Sequence, residues 1–281
     1  MEFHVIDTGN FMVDGGAMFG TVPKVQWSHL YPCNKDNYCN LSMRSLLVDT
    51  GDRVFLVDNG MGNKQSESFY ADYHLNGSGE LIRSLNSAGY KPEDITDMVL
   101  THLHFDHCGG SVFYNADRTK PELTFPNAVY WVGKAQWDNF LNPNRLEQDA
   151  FFKEDMMPVF EADKLKFIDE NKELAPGFFV RIFNGHTPGQ ILPFITFKGK
   201  TLVYTADLIP MAASVQPDWI SAYDTFPLIS IHEKESFLKE AAENGYILFL
   251  EHDLYNECCL VEQTEDGFRA GKTGLLKEFT E

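Results

Sequence analysis

The chain has 281 residues, of which 43% are hydrophobic, and this is enough for one large α/β domain with a substantial core. Lysine and arginine number 23 against 41 aspartate and glutamate residues, and the formal net charge of −18 argues against nucleic acid and anionic membrane surfaces as partners. The sequence holds no window of roughly 18 apolar residues and shows no leader, so we expect a cytoplasmic protein that acts on a small molecule.

Strand and helix patterns alternate in the first half of the chain. Residues 45–60 predict two strands joined by a Gly-Asp turn, and residues 80–89 predict a helix that ends at a glycine. DMVL (97–100) and NAVYWV (127–132) predict short buried strands, and the pattern becomes helical between Lys134 and Lys166.

The second half predicts a further set of strands. FFVRIF, ILPFITF and TLVYTAD are strand candidates, residues 229–245 predict a helix, and YILFLE and CLVEQ close the set. No repeat or linker divides the chain, so we predict a single domain over residues 1–281. The order of elements favours an α/β fold with two mixed sheets packed face to face and helices outside, a four-layer αββα sandwich.

One short stretch concentrates residues that bind metals. In THLHFDHCGG, three histidines and an aspartate fall within six positions after the predicted DMVL strand: His102, His104, Asp106 and His107. Packing alone would not place so many ionisable groups beside a buried strand, because they are costly there unless coordinated or paired. His102 and His104 can point to one side, and Asp106 and His107 fall where a helix is predicted to begin. Two displaced pairs of ligands favour two metal ions.

Three later strand candidates each end in a residue that can bind a metal. FFVRIF is followed by His186 and a rigid Thr-Pro-Gly turn, TLVYTAD ends in Asp207, and YILFLE is followed by His252. The Asp207 carboxylate could bridge two cations. A lone histidine is more often an ordinary surface or core residue, and this is our interpretation of the remaining ones, His4, His29, His74 and His232.

The HxHxDH run, followed by His, Asp and His after strands, resembles the metallo-β-lactamase superfamily. Asp58 in FLVDNG matches that superfamily's aspartate after an early strand, and the resemblance covers residues 45–253. It implies the metallo-β-lactamase fold, which is an αββα sandwich. By matching positions, it implies a first metal at His102, His104 and His186, a second at Asp106, His107 and His252, a bridge at Asp207, and a structural role for Asp58 in ordering the metal loop.

These ligands offer nitrogen and oxygen atoms, because Cys108 follows the run and is not part of it. Such a set suits two divalent ions and zinc best, although iron, manganese or cobalt also fit. A hydroxide bridging the two cations would be the nucleophile of a hydrolysis. Asp106 and Asp207 are the predicted catalytic carboxylates, with Asp106 orienting the hydroxide and passing a proton to the leaving group.

The segments GGAMFGTVPKVQW and DLIPMAASVQPDWISAYD are similar to the branch of acyl-homoserine lactonases and methyl-parathion-hydrolase-like enzymes. An apolar mouth for the substrate would be formed by Met18, Phe19, Trp27, Trp219 and Tyr223, and core packing is an equally good interpretation of each. Lactonases of this branch are expected to carry a tyrosine three residues after the bridging aspartate. Here that residue is Pro210, so another donor such as Tyr223 has to serve.

The resulting hypothesis is a dinuclear metal-dependent hydrolase of a small, largely neutral ester, lactone or phosphotriester, with a homodimer suggested by the resemblance. One alternative is an iron-dependent, non-hydrolytic member of the fold that handles oxygen or sulfur. Another is a glyoxalase II-type thioester hydrolase, which is disfavoured because residues 229–259, where basic residues would hold its substrate, offer only Lys234 and Lys239. The five cysteines lack CxxC spacing, which is typical of free thiols in a reducing compartment, with a Cys33–Cys39 disulfide as the alternative.

Overall fold

The computed structural model describes residues 1–115, 117 and 120–281, and these divide into two compact units. Unit 1 comprises Met1–Phe11 and Met43–Asp169, and unit 2 comprises Met12–Ser42 and Glu170–Glu281. Each unit is built around its own β-sheet and helices. The single domain over residues 1–281 stays a prediction.

The strands are numbered in chain order. They are β1 Glu2–Asp14, β2 Tyr38–Asp49, β3 Val54–Val57, β4 Asp97–Val99, β5 Val112–Tyr114, β6 Pro121–Leu123, β7 Val129–Gly133, β8 Leu165–Ile168, β9 Lys172–Ala175, β10 Phe178–Phe183, β11 Gln190–Phe197, β12 Lys200–Tyr204, β13 Ile247–Phe249, β14 Cys258–Thr264 and β15 Gly267–Gly274. The helices are α1 Gly15–Phe19, α2 Lys24–Trp27, α3 Glu67–Asp72, α4 Leu81–Ser87, α5 Phe105–Cys108, α6 Lys134–Leu141, α7 Lys153–Glu161, α8 Pro227–Asn244 and α9 Lys277–Thr280.

Unit 1 is organised around the sheet β1-β2-β3-β4-β7-β8. The β2–β3 hairpin is antiparallel, as residues 45–60 predict, and β3, β4, β7 and β8 run parallel to one another. Parallel strands buried on both faces read as short apolar runs, which is why DMVL and NAVYWV signal them. The core joins the sheet to the helices through Leu85 of α4, Trp137 and Phe140 of α6, and Met156 and Val159 of α7.

Unit 2 is organised around the sheet β15-β14-β13-β12-β11-β10-β9, in which β12 and β13 are the parallel pair and the other neighbours are antiparallel. Helix α8 packs on this sheet through Phe237, Leu238 and Ala241. Its ends follow the usual signals, since Pro227 occupies the first turn and Gly245 ends the helix with a φ of 63°.

The predicted strands and helices are confirmed where the apolar pattern is strong. The sequence reasoning missed β1, β5, β6, β8, β9 and β15. In β1, buried and half-buried side chains are interleaved with exposed ones, and β15 is an edge strand rich in glycine and exposed side chains, so neither presents a continuous apolar run. All five cysteines are free thiols, and Cys33 and Cys39 face each other across an isolated antiparallel bridge. Within the described residues, no helix has both the length and the apolar character that a membrane crossing needs.

Candidate metal centre

Four of the predicted ligands occupy the same place relative to a strand. Each lies three residues beyond the last residue of its strand, where the chain has left the sheet and is turning. They are His102 after β4, His186 after β10, Asp207 after β12 and His252 after β13. Ligands in α/β folds commonly sit at such strand exits, because the turning chain can present side chains away from the sheet.

In unit 1, His102 and His104 are both buried, and the Nε2 of His102 lies 3.1 Å from the Nδ1 of His104. We call these two facing nitrogens the inner nitrogens and the second nitrogen of each ring the outer one. Each outer nitrogen contacts an oxygen atom. The Nδ1 of His102 is 3.1 Å from the Thr101 hydroxyl, and the Nε2 of His104 is 3.2 Å from a carboxylate oxygen of Glu147. The Thr101 hydroxyl already donates its proton to Asp58 at 2.6 Å, so it can only accept from His102.

If both imidazoles are neutral, as metal-binding histidines are, this network fixes their tautomers. Because each outer nitrogen donates to oxygen, each inner nitrogen carries a lone pair, and the two lone pairs face each other inside the protein. Such a pair is costly unless a cation lies between the nitrogens. Holding the far nitrogen of a histidine with a carboxylate or other oxygen is the usual arrangement around protein metal sites.

Asp58 organises the loop that carries these histidines. It is fully buried, accepts from the Thr101 amide at 2.7 Å, and accepts from the Nδ1 of His107 at 3.0 Å. Its φ of 56° lies in the left-handed region, which aspartate tolerates better than most residues. The inner Nε2 of His107 lies 3.7 Å from a carboxylate oxygen of Asp106, so both residues at the start of α5 present ligand atoms together.

In unit 2, Asp207 connects two histidines. Its two carboxylate oxygens lie 3.1 Å from the Nε2 of His186 and 3.1 Å from the Nε2 of His252. The outer nitrogens are again held by oxygen, with the Nδ1 of His186 3.2 Å from Asp224 and the Nδ1 of His252 2.8 Å from the carbonyl of Ser42. In the neutral form that binds metals, each Nε2 turns a lone pair toward a carboxylate oxygen, and cations would relieve both contacts.

The donor set thus fits divalent metal ions. It consists of imidazole nitrogens and carboxylate oxygens, which suit zinc and other first-row metals. Cys108 does not belong to it, because burial raises the pKa of its thiol well above the usual value and the thiol donates to the carbonyl of Leu103. Cys258 and Cys259 are buried at the start of β14.

Sequence reasoning missed the residues that hold the outer nitrogens. Glu147 lies 43 residues from His104 and is itself held by the amide group of Asn139 at 2.9 Å. Asp224 lies 38 residues from His186, and Ser42 contributes only a main-chain carbonyl to His252. No local pattern announces such partners, although Asp224 ends the segment DLIPMAASVQPDWISAYD, which stood out for another reason.

The five residues predicted to form the mouth differ in exposure. Phe19 and Trp27 are each 1% exposed and stack on each other at 4.8 Å between ring centroids, and Met18 is also buried, so all three contribute to packing in unit 2. Trp219 is partly exposed and meets Phe19 edge to face at 6.1 Å, while Tyr223 is 43% exposed. The exposed faces of Trp219 and Tyr223 are therefore the ones open to a ligand.

Pro210 stands where a tyrosine was expected, and it is buried. Its carbonyl accepts a hydrogen bond from the main-chain N–H of His252 at 3.1 Å. The residue therefore supports the loop of a predicted ligand and supplies no hydroxyl group.

The sheet architecture of the two units and the ligand-type side chains at their strand exits define the class of protein as a metal-dependent hydrolase. Residues 44–252 match the metallo-beta-lactamase superfamily, and the chain belongs to that superfamily. The predicted metallo-β-lactamase fold class is thereby confirmed.

Individual relatives indicate the branch of the superfamily to which the chain is most similar. An N-acyl homoserine lactonase from Bacillus cereus is 26% identical over 270 residues, which cover 91% of this chain and 94% of that relative. The structure of a probable metal-dependent hydrolase from Staphylococcus aureus is 29% identical, with a TM-score of 0.88 over 98% of this chain and 96% of the other. The dizinc quorum-quenching lactonase AidC, solved with its product N-hexanoyl-L-homoserine, is 27% identical, with a TM-score of 0.78 over 96% of this chain and 93% of the other. The predicted resemblance to the lactonase-like branch is confirmed.

Proposed function

We propose that the chain is a dinuclear metal-dependent hydrolase that opens the ring of N-acyl homoserine lactones. The observation that carries the dinuclear part is the Asp207 carboxylate, whose two oxygens each face the Nε2 of a different histidine at 3.1 Å. A carboxylate held in this way is arranged to bridge two cations. The choice of a lactone substrate is supported by the relatives. The B. cereus protein is a lactonase, and the lactonase AidC was solved with its product N-hexanoyl-L-homoserine.

The proposal assigns each ligand residue to one of two ions. Each proposed ligand offers an atom to a group of side chains that could hold a metal ion. His102, His104 and His186 would hold one ion, Asp106, His107 and His252 the other, and Asp207 both. Zinc is the proposed metal, because it suits nitrogen and oxygen ligands of this kind and is the metal named for AidC.

Two bound divalent cations would supply a water nucleophile with a lowered pKa and would polarise the carbonyl of the substrate. The side chains of the protein have separate tasks. Thr101, Glu147 and Asp224 each hold one ring nitrogen of His102, His104 and His186, and this orients the other nitrogen of each ring for a metal. Asp106 retains partial solvent exposure, with 14% of its side chain accessible, so it can accept a proton and pass it to the leaving alcohol.

The net charge of the chain and an exposed tyrosine support an uncharged lactone as the substrate. A net charge of −18 disfavours anionic substrates, whereas an acyl lactone is uncharged. Tyr223 is 43% exposed and directly precedes Asp224, the residue that holds His186. We propose its hydroxyl as the donor to the lactone carbonyl in place of the tyrosine that Pro210 replaces.

The test combines elemental analysis with a hydrolysis screen of a homoserine lactone, an aryl ester and a phosphotriester. We expect about two zinc or mixed divalent ions per chain and proton release from the lactone. Asp207→Ala should lose metal and turnover, whereas Asp266→Ala, at an exposed aspartate of the same unit, should keep both. Full metal content and activity in Asp207→Ala would refute the site. Mostly iron with no hydrolysis would instead support the oxidoreductase alternative.

A further inference from the structure

Lys234 is a buried lysine that the proposed chemistry does not use. It lies on α8 of unit 2 and is 2% exposed. Its Nζ donates to two main-chain carbonyls, that of Ser214 at 3.0 Å and that of Trp219 at 2.5 Å. The buried Lys64 of unit 1, by contrast, pairs with the carboxylate of Asp155 at 2.9 Å.

Burying this ammonium costs stability. Burial lowers the pKa of Lys234 to about 8, against the opposing charges of Asp224 and Asp218, so the group is still mostly protonated at neutral pH. An apolar side chain of similar length would avoid this cost but would leave both carbonyls without the ammonium donor. We therefore examine how Lys234 positions the main chain that it binds, and not how it contributes to the free energy of folding.

The chain that it holds is residues 214–224, called here the mouth segment. Residues 215–224 of the described chain belong to no helix or strand, so little regular hydrogen bonding fixes their path. Lys234 ties the segment at its start and again at Trp219, and Ala222 donates from its main chain to the carbonyl of Ala17 at 2.8 Å. The ring of Trp219 then meets Phe19 edge to face.

The two ends of the mouth segment are held by different contacts. Its last residue, Asp224, holds the Nδ1 of His186 and accepts from the main-chain N–H of Ser221 at 2.8 Å. Thr225 adds two hydrogen bonds to the carbonyl of His186, each of 2.9 Å. Lys234 makes no contact at the His186 end that these bonds secure, whereas it holds two carbonyls at the Trp219 end.

We propose that Lys234 is a positioning residue for substrate specificity, which sets the place of Trp219 by tying the main chain of the mouth segment to α8. This inference rests on the proposed lactonase function, because it assigns Trp219 to the acyl chain of the substrate. Lys234 touches neither the substrate nor the ligand side chains and acts through the carbonyls of Ser214 and Trp219.

The experiment uses the full-length, metal-loaded enzyme and the variant Lys234→Met, with Lys239→Met as the control at an exposed lysine of the same helix. For N-decanoyl-homoserine lactone we expect KM to rise about tenfold in Lys234→Met with kcat nearly unchanged, and for the N-butanoyl substrate we expect little change. Metal content should match the wild type. Equal KM changes for short and long chains, or a loss of metal, would overturn the assignment to Trp219.

A second readout does not depend on activity. Amide hydrogen exchange in residues 214–224 should be faster by about tenfold in Lys234→Met, while residues 102–107 and the Lys239→Met protein stay as in the wild type. If the wild type hydrolyses no lactone, the proposed function fails, and the exchange data still decide whether Lys234 fixes the segment. Unchanged exchange would refute the positioning role.

A double-mutant cycle identifies the route. If Lys234 acts through Trp219, then Lys234→Met should have no further effect on the KM of the long-chain substrate in a Trp219→Ala background. Additive effects would refute that route. Should Lys234→Met fold poorly, Lys234→Gln keeps an N–H donor and should give smaller changes of the same kind, and wild-type behaviour in it would overturn the proposal.

Discussion

The carboxylate of Asp58 offers the sharpest test of how the metal loop is built. It accepts from the Thr101 amide through one oxygen, and from the Thr101 hydroxyl and the His107 Nδ1 through the other. Asp58→Asn keeps the shape and the first acceptor but replaces the second oxygen with an NH₂ group. That group then faces two hydrogen-bond donors. Because asparagine also tolerates the left-handed backbone, the change isolates the hydrogen bonding.

The magnitude follows from the bonds that are lost. Each hydrogen bond to a charged group contributes about 1.5–3 kcal/mol, so losing two should lower the free energy of unfolding by about 3 kcal/mol or more. His107 can recover a bond only by moving its proton from Nδ1 to Nε2, which removes the lone pair meant for a metal. The loss of a supporting residue of this kind typically weakens metal binding about 10–100-fold.

The assay is a metal titration against a competing chelator, together with denaturant unfolding of the metal-free protein. Asp52→Asn is the matched control, because Asp52 is exposed in the turn of the same β2–β3 hairpin. We expect the control to behave as the wild type in both measurements. Wild-type metal affinity in Asp58→Asn would show that the tautomer of His107 is not set by Asp58, and the reasoning would be wrong.

Three further changes test other parts of the molecule. Tyr223→Phe should lower kcat on a lactone about a hundredfold with the metal content unchanged, as measured by steady-state kinetics beside Tyr255→Phe; an equal kcat would exclude its hydroxyl as the donor. Burial raises the pKa of Asp155 from 3.8 to about 6 against the attraction of Lys64, so the folded state holds this proton more tightly and stability should fall as pH rises through that window. Unfolding of the metal-free protein across that pH range should show a smaller fall in Asp155→Asn than in the wild type, and parallel curves would contradict this. Removing metal with a chelator should lower the Tm by about 10 °C, and an unchanged Tm would argue against ions bound only to the folded state.

The proposed ligands could be picked out from the sequence because their signals are local. His102, like His186, Asp207 and His252, lies three residues after the end of a buried strand. In the sequence, each of them therefore appears as a polar residue shortly after an apolar run. The HxHxDH spacing adds specificity, because packing has no use for so many ionisable groups in succession.

The supporting residues escaped prediction for the opposite reason. Glu147 and Asp224 reach their histidines only after the chain has folded back over many residues, and an isolated acidic residue in a loop is ordinary. Aromatic side chains posed a similar ambiguity. Phe19 and Trp219 have the same apolar character in the sequence, and only the packing separates a buried ring from a partly exposed one.

The charges of the proposed site are compatible with binding of an uncharged lactone and release of its anionic product by a strongly acidic chain. The carboxylates among the proposed ligands and the residues that support them number five, Asp58, Asp106, Glu147, Asp207 and Asp224, and imidazoles bind metals in their neutral form. Two divalent ions would bring the sum to −5 + 4 = −1 and would compensate burial that is otherwise costly. An uncharged lactone can approach such a site without repulsion. Opening the ring creates a carboxylate, and a protein with a net charge of −18 then favours departure of the anionic product.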